Sequence, residues 1–150
     1  MFSYFVIAAV LPALIMGQYP IVQCPGGLPT PTSFFIEGCP SSPCSVQRGT
    51  VIPFRAGITA NENSASLTLE IDIEAFGTVT PYPVPPALSN VCNHLEGRGC
   101  PITAGEQIVH ASSIPVIIDF GGGVPVTLRS RIYNASGSVL SCSVINARIY

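Results

Sequence analysis

Apolar and polar side chains alternate along most of this 150-residue chain, a pattern typical of β-strands with one buried and one solvated face. The alternation is unbroken over residues 67–74, Leu-Thr-Leu-Glu-Ile-Asp-Ile-Glu. Further strands are predicted at residues 34–37, 50–59, 107–110, 124–133 and 139–150. Turn residues separate these segments, and no segment has helical periodicity. The pattern predicts an all-β fold, an antiparallel β-sandwich of two sheets.

Two proline features qualify this prediction. Pro53 lies inside the predicted strand 50–59 and favours an edge position or a bulge there. The run Thr-Pro-Tyr-Pro-Val-Pro-Pro at residues 80–86 follows the alternating strand and leads toward Cys92. We interpret this run as an ordered, extended crossover between strands rather than as a polyproline ligand.

The chain begins with an apolar segment, Met1 to Gly17, that contains no charged side chain. It is shorter than the roughly 20 apolar residues that a transmembrane helix needs. A cleaved secretory signal peptide is therefore predicted at residues 1–17, followed by a single domain at residues 18–150. The protein is expected to be secreted, with the lysosomal lumen as the alternative location.

Six cysteines follow the predicted signal: Cys24, Cys39, Cys44, Cys92, Cys100 and Cys142. An even number of cysteines in an exported chain predicts a disulfide framework, because the oxidising compartment allows the bonds to persist. Six cysteines permit 15 pairings, and their spacing alone does not choose among them.

The charge content excludes several classes of function. The chain has six arginines, no lysine and eight acidic residues, with a net charge of −2. It has no basic patch to contact phosphates, so nucleic-acid binding is not expected. It also has no amphipathic helical segment, so stable membrane insertion is not expected.

The sequence offers little that indicates catalysis. His94 and His110 are not spaced as metal ligands, and both are expected to be solvated or hydrogen-bonded, His110 at the end of a strand. Glu70, Asp72 and Glu74 share one face of the alternating strand, which is predicted to be its solvent face. No nucleophile elbow or phosphate-binding loop is present in the sequence. We therefore predict no enzyme activity, no cofactor and no metal.

A modification signal occurs near the end of the chain. Asn134-Ala135-Ser136 fits the acceptor pattern for N-glycosylation and lies in a predicted surface turn. The sequence therefore predicts a glycan on Asn134.

Cysteine and proline landmarks occur in a characteristic order along residues 18–150. They are Cys24, then Gly38-Cys39-Pro40 and Pro43-Cys44 with Arg48-Gly49, then 81–85 before Cys92, then Cys100-Pro101-Ile102 and Gly105, then Ile114-Pro115-Val116, and finally Cys142. This series resembles Niemann–Pick C2-type proteins of the MD-2-related lipid-recognition family, over essentially the whole predicted domain.

The resemblance implies an immunoglobulin-like sandwich whose two sheets separate around an apolar pocket for a sterol, a fatty acid or another lipid. It also implies the pairings Cys24–Cys142, Cys39–Cys44 and Cys92–Cys100. The pocket positions of the family correspond to Tyr82, Val116 and Phe120. A tyrosine hydroxyl in the pocket is expected to bind the polar head of a ligand.

Other wall candidates come from the apolar face of the alternating strand and from nearby strands. They are Leu67, Leu69, Ile71, Ile73, Phe35, Phe54, Ile58, Leu128 and Ile132. Of these, Leu69, Ile71 and Phe54 join Tyr82, Val116 and Phe120 as the predicted ligand-binding residues.

The chain departs from the family pattern at the position of Ser130, where a tryptophan is common, and in having no lysine near the expected pocket mouth. These departures favour a secreted carrier, as in the arthropod branch, whose members bind fatty acids and semiochemicals. The carrier is expected to be a monomer. The alternatives are an immune module that binds a microbial lipid and a receptor, a secreted lipid hydrolase, and a cuticle, venom or allergen-like protein whose pocket is incidental.

Overall fold

A computed structural model describes residues 21–117 and 121–150 of the chain. The eight strands are β1 (Ser33–Ile36), β2 (Cys44–Val46), β3 (Val51–Thr59), β4 (Leu67–Ala75), β5 (Thr78–Tyr82), β6 (Gln107–Pro115), β7 (Val124–Asn134) and β8 (Val139–Ile149). Two short helices connect β5 to β6: α1 (Pro86–Ser89) and a 3-10 helix (Val91–His94).

The strands form two sheets. The small sheet has the order β1-β3-β6 and is antiparallel throughout. The large sheet has the order β2-β8-β7-β4-β5, and its pairs are antiparallel except for β2, which runs parallel to β8. The predicted all-β, immunoglobulin-like sandwich of two sheets is confirmed, with this one parallel pair as a departure.

Strand β4 shows how the alternating pattern determines which side chains are buried. Leu67, Leu69, Ile71 and Ile73 are all buried, whereas Glu70 and Glu74 on the other face are exposed. On this outer face, the Asp72 carboxylate accepts a hydrogen bond from the Arg131 guanidinium of the neighbouring strand. The predicted solvent face of β4 is therefore confirmed.

Strand β1 corrects one of the predicted wall residues. Phe35 was a wall candidate, but it is 46% exposed and points away from the core, while Phe34 and Ile36 point inward. Side chains alternate between the two faces of a strand, so an error of one residue moves each side chain to the opposite face. A four-residue strand that contains two adjacent phenylalanines gives no pattern that fixes its inward face.

Pro53 marks the place where the pairing of β3 with β1 ends. Pro53 lies in the central strand β3 rather than on an edge strand. The last residue of β3 that pairs with β1 is Phe54, opposite Ile36, so Pro53 lies one residue outside that pairing. The Pro53 carbonyl accepts a hydrogen bond from Glu37 N–H at 3.0 Å on that same side. The backbone nitrogen of Pro53, which has no N–H to donate, therefore lies on the side of β3 where the pairing with β1 has ended.

The predicted proline-rich crossover is only partly correct. Its first residues, Thr80 to Tyr82, belong to β5, which pairs antiparallel with β4 at the edge of the large sheet. Prolines are tolerated there because an edge strand has one unpaired side. The rest of the run leads into α1, which begins at Pro86.

Three disulfides connect the loops to the sheets. Cys24–Cys142 joins the N-terminal segment to β8, beside a pair of backbone hydrogen bonds between Val22 and Val144. Cys39–Cys44 closes the loop between β1 and β2, and Cys92–Cys100 closes the loop before β6. These are the pairings that the family resemblance implies.

Candidate ligand-binding cavity

A cavity of about 110 Å³ lies between the two sheets. Its wall consists mainly of aliphatic and aromatic side chains that point inward from both sheets. From the small sheet they include Phe34, Ile36, Ile52, Phe54, Ala56, Ile58 and Ile114, and from the large sheet they include Leu69, Ile71, Val126, Leu128, Ile132 and Ile145. A largely apolar wall of this kind favours a hydrophobic ligand.

The structure brings together five of the six predicted ligand-binding residues. Tyr82, Val116, Phe54, Leu69 and Ile71 all line the cavity, while the sixth, Phe120, lies outside the described residues. The wall candidates Ile58, Leu128 and Ile132 line it too, whereas Leu67 and Ile73 are buried elsewhere in the core. That a ligand contacts these residues stays a prediction.

Tyr82 connects the two sheets along one side of the cavity. It ends the edge strand β5, and its hydroxyl donates a hydrogen bond to the Pro115 carbonyl at the end of β6, an edge strand of the other sheet. Burial raises the pKa of Tyr82, so the hydroxyl keeps its proton at neutral pH. In this conformation the Pro115 carbonyl accepts the proton of the hydroxyl, and binding of a ligand head by Tyr82 stays a prediction.

Val116 follows β6 and is held in place through its backbone. Its N–H donates to the Thr50 carbonyl at 2.8 Å, and its carbonyl accepts from Gly49 N–H at 2.9 Å. These bonds extend the pairing between β3 and β6 beyond the last strand residues. The side chain is 6% exposed and lines the cavity near the Tyr82–Pro115 contact.

His110 is a cavity residue that the sequence reasoning missed. It is 1% exposed, its ring meets the Phe54 ring edge-on with centroids 5.0 Å apart, and it lines the cavity. Its Nε2 atom is buried and has no hydrogen-bond partner among the described residues. Burial, with a smaller contribution from His94, lowers the pKa of His110 to about 4.

The prediction of a solvated or hydrogen-bonded His110 at a strand end is therefore wrong. Strand β6 continues five residues beyond His110, to Pro115, so positions 108, 110, 112 and 114 share the inward face. The apolar residues Ile108 and Ile114 on this face were the sequence signal for an inward face. The polar side chains of His110 and Ser112 lie between them and interrupt the apolar alternation, so the inward face of β6 was not recognised. In contrast, His94 Nε2 lies 2.8 Å from the Ala87 carbonyl oxygen and has a partner.

We expect the buried, neutral His110 to make folding stability depend on pH. Its folded-state pKa of about 4 lies below the ordinary value of 6.5, so the unfolded chain binds a proton first as the pH falls. The stabilisation is complete above about pH 6.5 and is lost as the pH falls to about 4, a difference of about 3 kcal/mol. Urea unfolding at pH 7.5 and at pH 4 measures it.

The variant His110→Phe is expected to reduce this pH dependence, while His94→Gln should retain most of it. Acidification also protonates Glu96 and Glu106. Hydrogen bonds from Arg55 and Arg98, respectively, lower the pKa values of these carboxyl groups in the folded protein, so their protonation lowers folding stability as well. Both variants keep these glutamates, so the difference between the variants isolates His110. Equal pH dependence in wild type and His110→Phe would contradict the prediction.

Three serines on the large sheet form a second polar part of the wall. Ser130 on β7 and Ser141 and Ser143 on β8 line the cavity. From the sequence, Ser130 stands out only as a replacement for a tryptophan, and no pattern assigns a role to the other two serines. Their spacing of two residues on β8 was the available signal, but it does not distinguish an inward serine from an outward one.

Asn134 occupies a different setting from the predicted surface turn. Residues 135–138 form an exposed turn, but Asn134 itself ends β7 and is 4% exposed. Its Nδ2 atom donates to Asn61 Oδ1 and to Ser138 Oγ, both at 3.0 Å. A glycan is attached through this nitrogen, so glycosylation requires a local arrangement other than this one. Glycosylation of Asn134 stays a prediction.

Within the described residues, no group of three or more His, Cys, Asp or Glu side chains is placed to hold a metal ion. Across residues 21–117 and 121–150, no helix has the length and apolar character needed to span a membrane.

Comparison with known proteins supports the fold and the family pattern. A family model described as the ML domain matches residues 18–149. The mite group 2 allergen Lep d 2 of Lepidoglyphus destructor is 22% identical over 151 residues, which cover 99% of each chain. The allergen Eur m 2 of Euroglyphus maynei is 29% identical over 112 residues, covering 73% of this chain and 72% of the allergen.

A solved structure has the same fold. A Niemann-Pick type C2 protein from the Japanese carpenter ant superposes with a TM-score of 0.74 and 15% sequence identity. The match covers 87% of this chain and 99% of the ant protein. At this identity the comparison supports the sandwich architecture of the two sheets.

Proposed function

Since this chain belongs to the ML-domain family, we propose that it binds a small hydrophobic molecule between its sheets and carries it in extracellular fluid. The candidate ligands are a sterol, a fatty acid or a semiochemical. The single observation that supports this proposal most directly is the apolar cavity between the sheets, whose wall includes Tyr82 and Val116.

The family membership confirms two predictions made from the sequence. The chain was identified as a member of the MD-2-related lipid-recognition family, and the matching family model and the fold agree with that identification. Its curated relatives are arthropod proteins. Proteins of this family are not enzymes, and neither is this chain.

The proposed mechanism is passive. Removing apolar surface from water is worth about 25 cal/mol per Å². A ligand that buries a few hundred Å² therefore gains on the order of 10 kcal/mol before several kcal/mol are lost to the cost of association. Affinities in the micromolar range or somewhat tighter are expected. No covalent step and no cofactor takes part.

The size of the cavity adds a condition to the proposal. At about 110 Å³, it is smaller than the roughly 300–1,000 Å³ of pockets that hold drug-sized ligands. The two sheets must therefore separate to admit a sterol or a long acyl chain. Separation breaks no strand ladder, because the ladders lie within each sheet. On the side where β5 and β6 meet, it strains the hydrogen bond between Tyr82 and Pro115.

Secretion is part of the proposal. The predicted signal peptide at residues 1–17 lies outside the described residues. Three disulfides with no free cysteine among the described residues support an oxidising compartment, where such bonds form and persist.

A vesicle transfer assay tests the carrier function. Donor vesicles of phosphatidylcholine carry either a fluorescent sterol or a fluorescent fatty acid, and acceptor vesicles carry a quencher. We expect the transfer rate of at least one ligand to rise in proportion to the concentration of the protein. Binding without faster transfer would indicate a protein that sequesters its ligand, and the absence of both would reject the proposal.

A further inference from the structure

The wall of the cavity contains a compact group of hydroxyl groups. Ser130 on β7 pairs directly with Ser143 on β8, and Ser141 lies two residues away from Ser143 on the same face of β8. All three line the cavity, and Ser141 and Ser143 are only 4% and 3% exposed. We call Ser130, Ser141 and Ser143 the serine cluster.

The serine cluster has no partner within the described protein. None of its three hydroxyls makes a side-chain hydrogen bond to another described residue. On the facing sheet, the buried Nε2 atom of His110 also has no partner. A buried polar atom without a hydrogen bond, such as this nitrogen, is destabilising. The three serine hydroxyls lie on the wall of the same cavity, where a hydrogen-bonding group inside the cavity can pair with them.

The charges around the cavity restrict what this group is. No arginine, aspartate or glutamate is among the described residues that line the cavity. A carboxylate placed among these side chains would be buried without a counter-charge, which is strongly unfavourable. His110 does not supply the charge, because burial lowers its pKa to about 4 and leaves the ring neutral at pH 7. The polar group that fits here is therefore neutral.

We propose that the serine cluster binds the hydroxyl or carbonyl oxygen of a neutral amphipathic ligand, which enters with that group directed into the cavity. Long-chain alcohols, aldehydes, esters and sterols belong to this class. A serine hydroxyl both donates and accepts, so it pairs with either kind of oxygen. An ionised fatty acid pairs less well, since its carboxylate has to stay near the mouth. The inference rests on the proposed function, because it assumes that the ligand occupies this cavity.

The test compares a polar and an apolar ligand of the same chain length in matched variants. Decanol, decane and decanoate each displace N-phenyl-1-naphthylamine from wild type and from the double variant Ser130→Ala/Ser143→Ala at pH 7. Ser45→Ala is the control, because Ser45 is an exposed residue of β2 outside the cavity. The difference between ligands removes any general effect of the substitutions on packing.

We expect the double variant to bind decanol about tenfold more weakly than wild type, the equivalent of one hydrogen bond. Decane should bind the double variant no more weakly than wild type, and decanoate should change less than decanol. If decanol and decane change equally, or if neither changes, the serine cluster does not bind the ligand, while the proposed carrier function stands. If no ligand displaces the probe from wild type, the proposed function itself fails.

Discussion

The variant Val116→Trp is expected to weaken binding of every lipid ligand by about 100-fold or more. Val116 lines the cavity and is held by backbone hydrogen bonds to Gly49 and Thr50, so its side chain has little freedom to turn away. An indole ring at this position would occupy much of a cavity of about 110 Å³. Displacement of a fluorescent probe by a sterol, a fatty acid and a long-chain alcohol measures the loss.

The matched control is Val51→Trp. Val51 pairs with Pro115, the residue before Val116, but it is 57% exposed and lies outside the cavity. The same substitution there should leave the affinity within twofold of wild type. Overpacking at Val116 costs about 1–3 kcal/mol of stability, so circular dichroism and unfolding curves must show that the variant is folded. A folded Val116→Trp protein that binds as wild type does would place the ligand elsewhere.

Removal of the Cys24–Cys142 disulfide should have the largest effect on stability. The two cysteines are 118 residues apart, and closing a loop of that length restricts the unfolded chain by about 5 kcal/mol in the chain-entropy treatment. We expect Cys24→Ala/Cys142→Ala to lower the free energy of unfolding by about that amount, a large part of the roughly 5–15 kcal/mol of a typical domain. Guanidinium unfolding under oxidising conditions measures it.

The control for this prediction is the short loop closed by Cys92–Cys100, whose cysteines are eight residues apart. The same treatment gives about 2.5 kcal/mol for Cys92→Ala/Cys100→Ala. The two double variants should therefore differ by about a factor of two in lost stability. Equal losses would mean that local packing around the cysteines, and not loop length, sets the contribution of each bond.

The sheets were largely predictable because most strands have one apolar and one polar face. Strand β4 is the clearest example, since its alternation gave both its extent and its buried face. Strand β2 was missed because three residues are too few for an alternating pattern. Strand β5 was missed because prolines disfavour strands in general, although an edge strand accepts them.

The site was predictable only where the family resemblance or a clear alternation pointed to it. Tyr82 and Val116 came from the resemblance, and Leu69 and Ile71 came from the pattern of β4. His110 and the serine cluster were missed for one physical reason: inward polar residues interrupt the apolar pattern that marks an inner face. Whether a polar residue in a strand faces the cavity depends on how far the strand extends and how it pairs, and neither is a local property of the sequence.

The central claim is that a lipid occupies the cavity between the two sheets. Native mass spectrometry of protein purified from a secreting expression host, followed by solvent extraction of bound molecules, tests it most directly. We expect a sterol, a fatty acid or a neutral long-chain lipid at close to one molecule per chain, retained by Val51→Trp and lost from folded Val116→Trp. A protein that carries no lipid and takes up none of these ligands when they are added would contradict the claim.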